Sequence, residues 1–390
     1  MRTGDTPPSL ARLLRDFGRI GCLGFGGPPA HVAMLRELVV QRRGWIGGDD
    51  FEHGLAATNV LPGPGSTQMA IWCAWRVRGL PGALVGGAAF IVPGLLVILA
   101  LAALFLGAPP AWVRGVGAGA GAVVAAVAVQ AGLSLLPSSW ARTPARGRWI
   151  AYLLAGAAAT ALLGPWLIVV LLACGGAELA WQRGGRGPRA PRALHLDAWP
   201  PLLLAAAAVA ASGGLLALCW TAFKVGALSY GGGFVTIPLM QGDAVDRHHW
   251  MTDAEFLNAV ALGQATPGPV THTVAVVGYA VDGLGGALLA SLVAFLPSFT
   301  FVLLGGARFE RLRTLPSARA FLDGAGPAAI GAILGSAIPL AAGLTEWWQL
   351  AVLAAGAAWL LLLRRGVVAA LLGAGAVGAL IALAGGPLPS

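Results

Sequence analysis

The sequence predicts an all-α polytopic membrane protein, built from two inverted-topology repeats with broken or re-entrant helices. Hydrophobic residues make up 57% of the 390-residue chain and charged residues only 11%, whereas soluble proteins carry about 25% charged residues. Apolar segments of roughly the 20 residues that a membrane-spanning helix needs recur along the chain. Two Pro-Gly-Pro motifs, at 62–64 and 267–269, interrupt apolar segments at equivalent positions.

The composition makes the lipid bilayer the solvent for most of the chain and excludes a soluble fold. The net charge of +9 comes from arginines and one lysine, Lys224. Many of the arginines lie between apolar segments, where a positive-inside bias explains them, so we predict no nucleic-acid partner. The four cysteines have no metal-ligand spacing. We therefore expect neither a metal site nor a cofactor.

The chain repeats itself at an offset of 205 residues. We predict a first repeat over 1–181, a cytoplasmic linker rich in Arg, Gly and Pro over 182–199, and a second repeat over 200–390. The matches are Gly26-Gly27 with Gly231-Gly232, Pro62-Gly63-Pro64 with Pro267-Gly268-Pro269, Arg19 with Lys224, Phe25 with Tyr230, Trp45 with Trp250, Asp50 with Glu255 and Asn59 with Gln264.

The arginines predict that the two repeats are inverted. Four arginines in the linker and three near the N-terminus place both segments in the cytoplasm. The apolar stretch 201–222 then delivers the second repeat from the opposite side. Arginine-rich loops in one repeat also lack full counterparts in the other: Arg76 and Arg78 match no arginine, and the four arginines at 308, 311, 313 and 319 correspond to a loop with only Arg114.

The clear spans and the broken segments follow from this assignment. Blocks interrupted by Gly and Pro, at 18–35, 54–75, 223–240 and 256–280, either cross as interrupted helices or return to the side they entered. We favour the re-entrant form, because Arg36, Arg42 and Arg43 belong in the cytoplasm with Arg76. The predicted spans lie near 80–107, 115–137, 149–163, 165–181, 201–222, 284–307, 324–343, 349–363 and 367–385.

The broken segments predict a binding site for an anion. Non-helical backbone at membrane depth survives only where protein or a water-filled cavity satisfies it. The runs 24–27 and 230–233 let the backbone approach a ligand, and their free N–H groups can form an anion-binding nest. Polar clusters begin the half-helices that follow the two Pro-Gly-Pro motifs, where the helix dipole favours an anion: Ser66, Thr67 and Gln68 in one repeat, Thr271, His272 and Thr273 in the other.

Arg19 and Lys224 are the matched cations that lead into the two glycine runs. A cation inside a membrane segment is costly and marks a functional site by default, and two of them balance a dianion. An alternative is that both side chains reach the interface. Asn59 and Gln264 either donate to the anion or bond between helices, and His272 either carries a proton or is structural. Tyr230 and Phe25 line the site or pack, and Asp50 and Glu255 cap helix ends.

Each half resembles one domain of the chromate ion transporter family. The first half carries F-G-G-P (25–28), A-H (30–31) and L-P-G-P-G-S-T-Q (61–68). The second carries K-V-G-A-L-S-Y-G-G-G (224–233), I-P-L (237–239), E-F (255–256), A-L-G-Q-A-T-P-G-P-V (261–270) and F-L-P-S-F (295–299). Tyr230 and Gly65 depart from the family's usual residues, and either departure could tune the choice of substrate.

The resemblance implies a multi-pass protein of the inner (plasma) membrane that exports chromate, coupled to protons, and confers chromate resistance. Sulfate has nearly the same shape and charge and is the expected competitor. Sulfate or another tetrahedral oxyanion as substrate, and a channel instead of a carrier, stay open, as does a homodimer. A membrane enzyme is disfavoured, because the membrane segments show neither clustered acids nor a nucleophile with its base.

Overall fold

A computed structural model of the chain describes residues 8–58, 61, 63–107, 109–143, 145–163, 167–184, 214–229, 234–305 and 316–389. All regular elements in these ranges are helices, so the predicted all-α fold is confirmed. Some residues singled out from the sequence lie outside the described ranges: Asn59, Pro62, Tyr230, Gly231, Gly232, residues 185–199 of the predicted linker, and 201–213 of the span predicted at 201–222.

The helices of the first half begin at recognisable signals. They are α1 (Leu10–Leu23), α2 (Gly27–Arg36) continued by a π-helix (Glu37–Arg42), α3 (Gly48–Thr58), α4 (Gly65–Leu106), α5 (Ala111–Ala122), α6 (Val124–Arg142), α7 (Arg146–Leu163) and α8 (Leu167–Gly184). The Ser9 hydroxyl caps α1 by accepting from the Arg12 backbone N–H at 3.3 Å. Prolines Pro28 and Pro29 occupy the first turn of α2, where no donor is lost.

The second half repeats the first at the same offset. Its helices are α9 (Leu215–Leu228), α10 (Thr236–Gln241) continued by a π-helix (Gly242–Arg247), α11 (Asp253–Ala265), a 3₁₀ turn (Val270–His272), α12 (Thr273–Gly305), α13 (Pro316–Gly335), α14 (Ala337–Ala342), α15 (Trp347–Ala357) continued by a π-helix (Ala358–Leu362), and α16 (Val367–Leu383). The bounds of α9 and of the Gly242–Arg247 π-helix are those of α1 and of the Glu37–Arg42 π-helix shifted by 205 residues.

Four helical stretches in the described residues are long and apolar enough to cross a membrane: Gly65–Leu106, Ala111–Ala141, Val270–Gly305 and Arg319–Ala342. Three shorter apolar helices, Leu215–Leu228, Trp347–Leu362 and Val367–Leu383, accompany them. The predicted spans from 80 to 181 and from 284 to 385 fall on helices α4 to α8 and α12 to α16. The inverted orientation of the two halves stays a prediction.

Helices α4 and α12 each fold back on themselves. The chain leaves helical geometry at Arg78 and Gly79, and again at Asp282 and Gly283. Gly79 and Gly283 have φ values of 60° and 52°, which glycine adopts without strain. The two arms of α4 are antiparallel, because Gly87 lies against Ile71, 16 positions earlier. Each long helix is therefore a short arm followed by a long one.

Helices of one half pack against helices of the other. A Cβ at Gly119 of α5 would collide with the Ala374 carbonyl of α16, so a helix of the first half packs backbone to backbone on the last helix of the second. Likewise α13 packs on α7 and α8, with Gly156 and Gly331 as the close contacts on α7 and α13. Small residues that let helices approach closely are the usual means of association in a bilayer.

The contact between α7 and α13 predicts that a glycine-to-alanine change there lowers the stability of the fold, whereas the same change at an exposed glycine does not. A Cβ at Gly156 would overlap the Ala328 carbonyl, so Gly156→Ala should destabilise the fold by about 1–3 kcal/mol through overpacking. Gly373 on α16 has open space around it, so Gly373→Ala is the matched control and should be neutral or slightly stabilising. The measurement is the fraction of monodisperse protein left after heating in detergent. Equal melting curves for the two variants would contradict the packing described.

Candidate functional site: two broken hairpins that meet inside the protein

Each Pro-Gly-Pro motif lies at the tip of an antiparallel helix pair. In the first half, α3 returns along the first arm of α4: Gly54 lies against the Trp72 ring, and the Thr58 hydroxyl contacts Met69 Sδ at 3.8 Å. In the second half, Gly263 near the end of α11 lies against Thr273 at the start of α12. The two helices of each pair therefore lie side by side, and the re-entrant path stays a prediction.

The tip of each hairpin touches the other half. The Gly268 N–H donates to the Gly24 carbonyl at 2.9 Å, and the same carbonyl accepts from His31 Nε2 at 2.8 Å. In the reciprocal contact, a Cβ at Gly63 would lie 3.1 Å from the Gly226 carbonyl. Gly24 and Gly226 lie on the approaches to the two glycine runs. The broken segments of both halves therefore converge inside the molecule.

Polar atoms without hydrogen-bond partners are concentrated at these tips. Thr67, Thr271 and His272 are fully buried, and Thr266 is 4% exposed. Within the described part of the chain, neither their side-chain polar atoms nor the buried Gln264 Nε2 has a hydrogen-bond partner. A buried polar group left unpaired costs about 1–3 kcal/mol. Such a cluster, on both sides of the second motif and just after the first, indicates a site built for a polar ligand or for water.

Two buried histidines in this region differ in their bonding. His31 is bonded through Nε2 to the Gly24 carbonyl, and its Nδ1 lies 3.3 Å from Ser66 Oγ. His272 forms no hydrogen bond of normal geometry with the described residues, although the Ile91 backbone lies near its ring, and it packs edge-on against Phe295 at 5.3 Å between centroids. His272 was predicted from the sequence as a site residue, whereas His31 was noted only as part of the A-H motif at 30–31. Only the fold brings His31 onto the carbonyl that joins the two halves.

A half-open cavity of about 990 Å³ reaches the tip of the first hairpin. Gly63, Gly65 and Ser66 form that part of its wall, and α13 of the second half contributes Arg319 and Asp323. Further hydroxyl groups come from α6 and its C-terminal end: Ser134, Ser138, Ser139 and Thr143. The cavity that reaches the first hairpin tip therefore has mainly apolar walls, with these polar groups among them. Gln68, fully buried on the same helix arm, lies against Gly63.

The two matched cations occupy different environments. Lys224 is 5% exposed, and its Nζ forms an ion pair with Asp243, which also accepts from the Thr221 hydroxyl at 2.6 Å. The Trp220 ring centroid lies 6.0 Å from the ammonium. Arg19, on α1, has an exposed side chain and no ion pair with any described residue. Lys224 thus enters the protein interior and Arg19 does not.

Asp243 was not predicted from the sequence as a site residue. It follows Lys224 by 19 residues and lies in a polar run, 241–249, that reads as a loop. The π-helix turns it back towards α9. Position 38, its equivalent in the first half, is Leu38, so the pair does not recur there. The acids that the sequence did match serve helix ends and the surface: Glu255 completes a capping box with Thr252, and Asp50 pairs with Arg76 at 2.8 Å.

The other described glycines and prolines of the two motifs have the backbone geometry of breaks between helices. Gly26 and Gly27 have φ values of 98° and 74°, and Gly63 and Gly268 have values of 122° and 94°, a region that favours glycine. Pro64 caps the first arm of α4, and Pro269 precedes the 3₁₀ turn. Pro267 contacts Gly94 through its carbonyl. No cluster of three metal-ligating side chains occurs within the described ranges.

Comparison with known proteins identifies the family. The family model for chromate transporters matches residues 11–179 and 216–379. The chain belongs to the chromate transporter family. Together with the apolar helices, membership makes it a multi-pass membrane protein. The matched ranges contain both Pro-Gly-Pro hairpins and both approaches to the glycine runs, so the site lies within the part of the chain that defines the family.

Several relatives bear transporter names. A chromate transport protein of Cupriavidus metallidurans is 33% identical over 342 residues, covering 85% of this chain and 83% of its own length. A chromate transport protein of Pseudomonas aeruginosa is 30% identical over 395 residues, covering 96% and 93%. A probable chromate transport protein of Synechococcus elongatus is 29% identical over 341 residues, covering 85% and 84%. No solved structure matches the chain.

The two histidines give a prediction that separates a structural role from a functional one. His272→Leu removes two buried nitrogens that form no hydrogen bond of normal geometry, so it should leave the melting temperature unchanged or raise it, while lowering chromate transport. His31→Leu removes two bonded nitrogens and should destabilise the fold by about 1–2 kcal/mol. Thermal melting of both variants in detergent is the measurement. A larger loss of stability for His272→Leu than for His31→Leu would contradict this assignment.

Proposed function

We propose that this family member is a secondary transporter that exports chromate across the inner membrane, coupled to protons, and so confers chromate resistance. The observation that carries the proposal is the group of unpaired buried polar atoms at the two hairpin tips. Family membership, and the relatives named chromate transport protein, support chromate as the transported ion. The cytoplasmic linker and the inner-membrane location are part of this proposal.

A tetrahedral dianion needs hydrogen-bond donors and positive charge where water is excluded. The hydroxyl groups of Thr67 and Thr271 and the amide of Gln264 are donors without partners among the described residues. The first backbone N–H groups after Pro64 begin a helix and have no partner within it. The helix dipole adds partial positive charge at the same end. We propose that these groups bind the oxyanion, with Asn59, Tyr230 and the glycine runs completing the site.

In this proposal Lys224 and Arg19 supply the positive charge, Lys224 from the interior and Arg19 from the surface. Lys224 is buried near the end of α9 that leads into the second glycine run, and we propose that its charge acts on the anion from the interior. The exposed side chain of Arg19 acts at the mouth of the pathway, where a guanidinium binds tetrahedral oxyanions through its two-pronged geometry. The inverted repeats then exchange two related conformations to open the site to each side in turn.

The sharpest test is uptake of labelled chromate and sulfate by inside-out vesicles, with and without an imposed pH gradient. Lys224→Gln should lower the initial rate of chromate uptake by about tenfold or more, since a charge-assisted bond contributes about 1.5–3 kcal/mol. Arg19→Gln should lower it as well. Arg12→Gln is the matched control, because Arg12 is also exposed on α1. It should transport at the rate of the unchanged protein.

The vesicle experiment also distinguishes the alternatives. Sulfate uptake exceeding chromate uptake would make sulfate the substrate, and an anion current far above carrier turnover in a planar bilayer would make the protein a channel. Chromate uptake at the unchanged rate in the Lys224→Gln variant would contradict the proposed site.

A further inference from the structure

The buried pair of Lys224 and Asp243 is an uncommon feature for the interior of a membrane protein. Lys224 is 5% exposed and Asp243 is 2% exposed, and the Thr221 hydroxyl donates to the same carboxylate oxygen that binds the ammonium. Each charge would be prohibitively costly there without the other. Removal of one partner therefore leaves the other charge buried and uncompensated.

The pair poses a problem for the proposed transport function, on which this inference rests. An oxyanion that uses Lys224 must share it with Asp243. The carboxylate and a dianion repel each other strongly in a medium of low dielectric constant. The lysine and the aspartate also sum to zero charge, so the paired state offers no net attraction to an anion. Binding requires that the negative charge of Asp243 be removed.

We propose that Asp243 takes up a proton when the oxyanion engages Lys224, and that this exchange couples transport to protons. A proton from the aqueous side adds to a carboxylate oxygen of Asp243, forming an O–H bond and a neutral acid. Lys224 keeps its charge and becomes available to the anion. When the anion leaves, Asp243 loses the proton and pairs with Lys224 again. The dianion and the proton together carry one negative charge, and an inside-negative membrane potential favours its outward movement.

The asymmetry between the halves supports a functional role for the pair. In the first half, α1 and the π-helix after α2 are the equivalents of α9 and the π-helix that carries Asp243. At the equivalent positions, Leu38 replaces Asp243 and Asp16 replaces Thr221. Asp16 instead forms a two-pronged ion pair with the half-exposed Arg43, at 2.9 Å for each bond. The shared helical framework therefore folds without a buried lysine–aspartate pair. The arrangement predicts one coupled proton per anion and not two.

Several other titratable groups lie on the elements packed around the pair. His248 follows the π-helix, where burial lowers the pKa of its imidazole and the charges of Asp243 and Lys224 act on that pKa in opposite directions. This makes His248 the competing candidate for proton uptake. The remaining groups on neighbouring elements are Asp246, Arg247 and His249 near the π-helix, Asp253 and Glu255 on α11, Tyr279 and Asp282 on α12, Arg319 and Asp323 on α13, and Glu178 and Arg183 on α8.

The test is calorimetric titration of the purified full-length protein with chromate at pH 8, in buffers of different ionisation enthalpy, which counts the protons taken up per anion bound. The unchanged protein should take up close to one proton, and its chromate affinity should fall about tenfold per pH unit above neutrality. Asp243→Asn should bind chromate more tightly at pH 8, without proton uptake and with no dependence on pH. His248→Gln is the matched control and should keep the proton uptake.

Several outcomes would overturn the proposal. Chromate binding by the unchanged protein without proton uptake would do so, whatever the variants show. Proton uptake that persists in Asp243→Asn, or disappears in His248→Gln, would assign the proton to another group. Should Asp243→Asn fail to fold, the double variant Lys224→Gln/Asp243→Asn removes both charges, and it should fold and bind chromate weakly, with no pH dependence. Absence of any chromate binding or transport by the unchanged protein would instead refute the proposed function.

Discussion

The architecture depends on one constraint: backbone that leaves helical geometry inside a membrane must find its hydrogen bonds within the protein. The Gly24 carbonyl shows how this chain meets it. That carbonyl accepts from His31 in its own half and from the Gly268 N–H at the opposite Pro-Gly-Pro tip. The second break therefore finds one of its hydrogen-bond partners in the first half. The same bond brings the polar groups of both halves to one location.

Close helix packing follows from the same constraint. Gly21 lies so near the Phe90 carbonyl that a Cβ would stand 2.6 Å from it, and Gly226 meets the Ala294 carbonyl in the equivalent way. These contacts press α1 and α9 against the long arms of α4 and α12, so that Gly24 and Gly226 reach the hairpin tips. The contacts of α16 with α5 and of α13 with α7 then join the two halves. Glycine in this chain thus serves both packing and the geometry of the site.

Much of the framework could be predicted from sequence, because local residue chemistry determines it. The 205-residue offset anticipated the matching bounds of α1 and α9, and the Pro-Gly-Pro motifs marked the breaks. What could not be predicted depends on contacts between distant segments. The pairing of Lys224 with Asp243 requires the π-helix to turn back on α9, and the His31–Gly24 bond requires the first glycine run to fold over α2. The sequence repeat also did not predict that Arg19 is exposed whereas Lys224, at the equivalent position, is buried.

The central claim is that the oxyanion binds where the two hairpin tips meet, and the location of chromium tests it most directly. Crystals of the full-length protein grown with chromate would give an anomalous difference peak from the metal at its absorption edge. We expect a peak within hydrogen-bonding reach of Thr271 and Gln264. A peak confined to another cationic group, such as Arg148 on α7, with none at the hairpin tips, would contradict it.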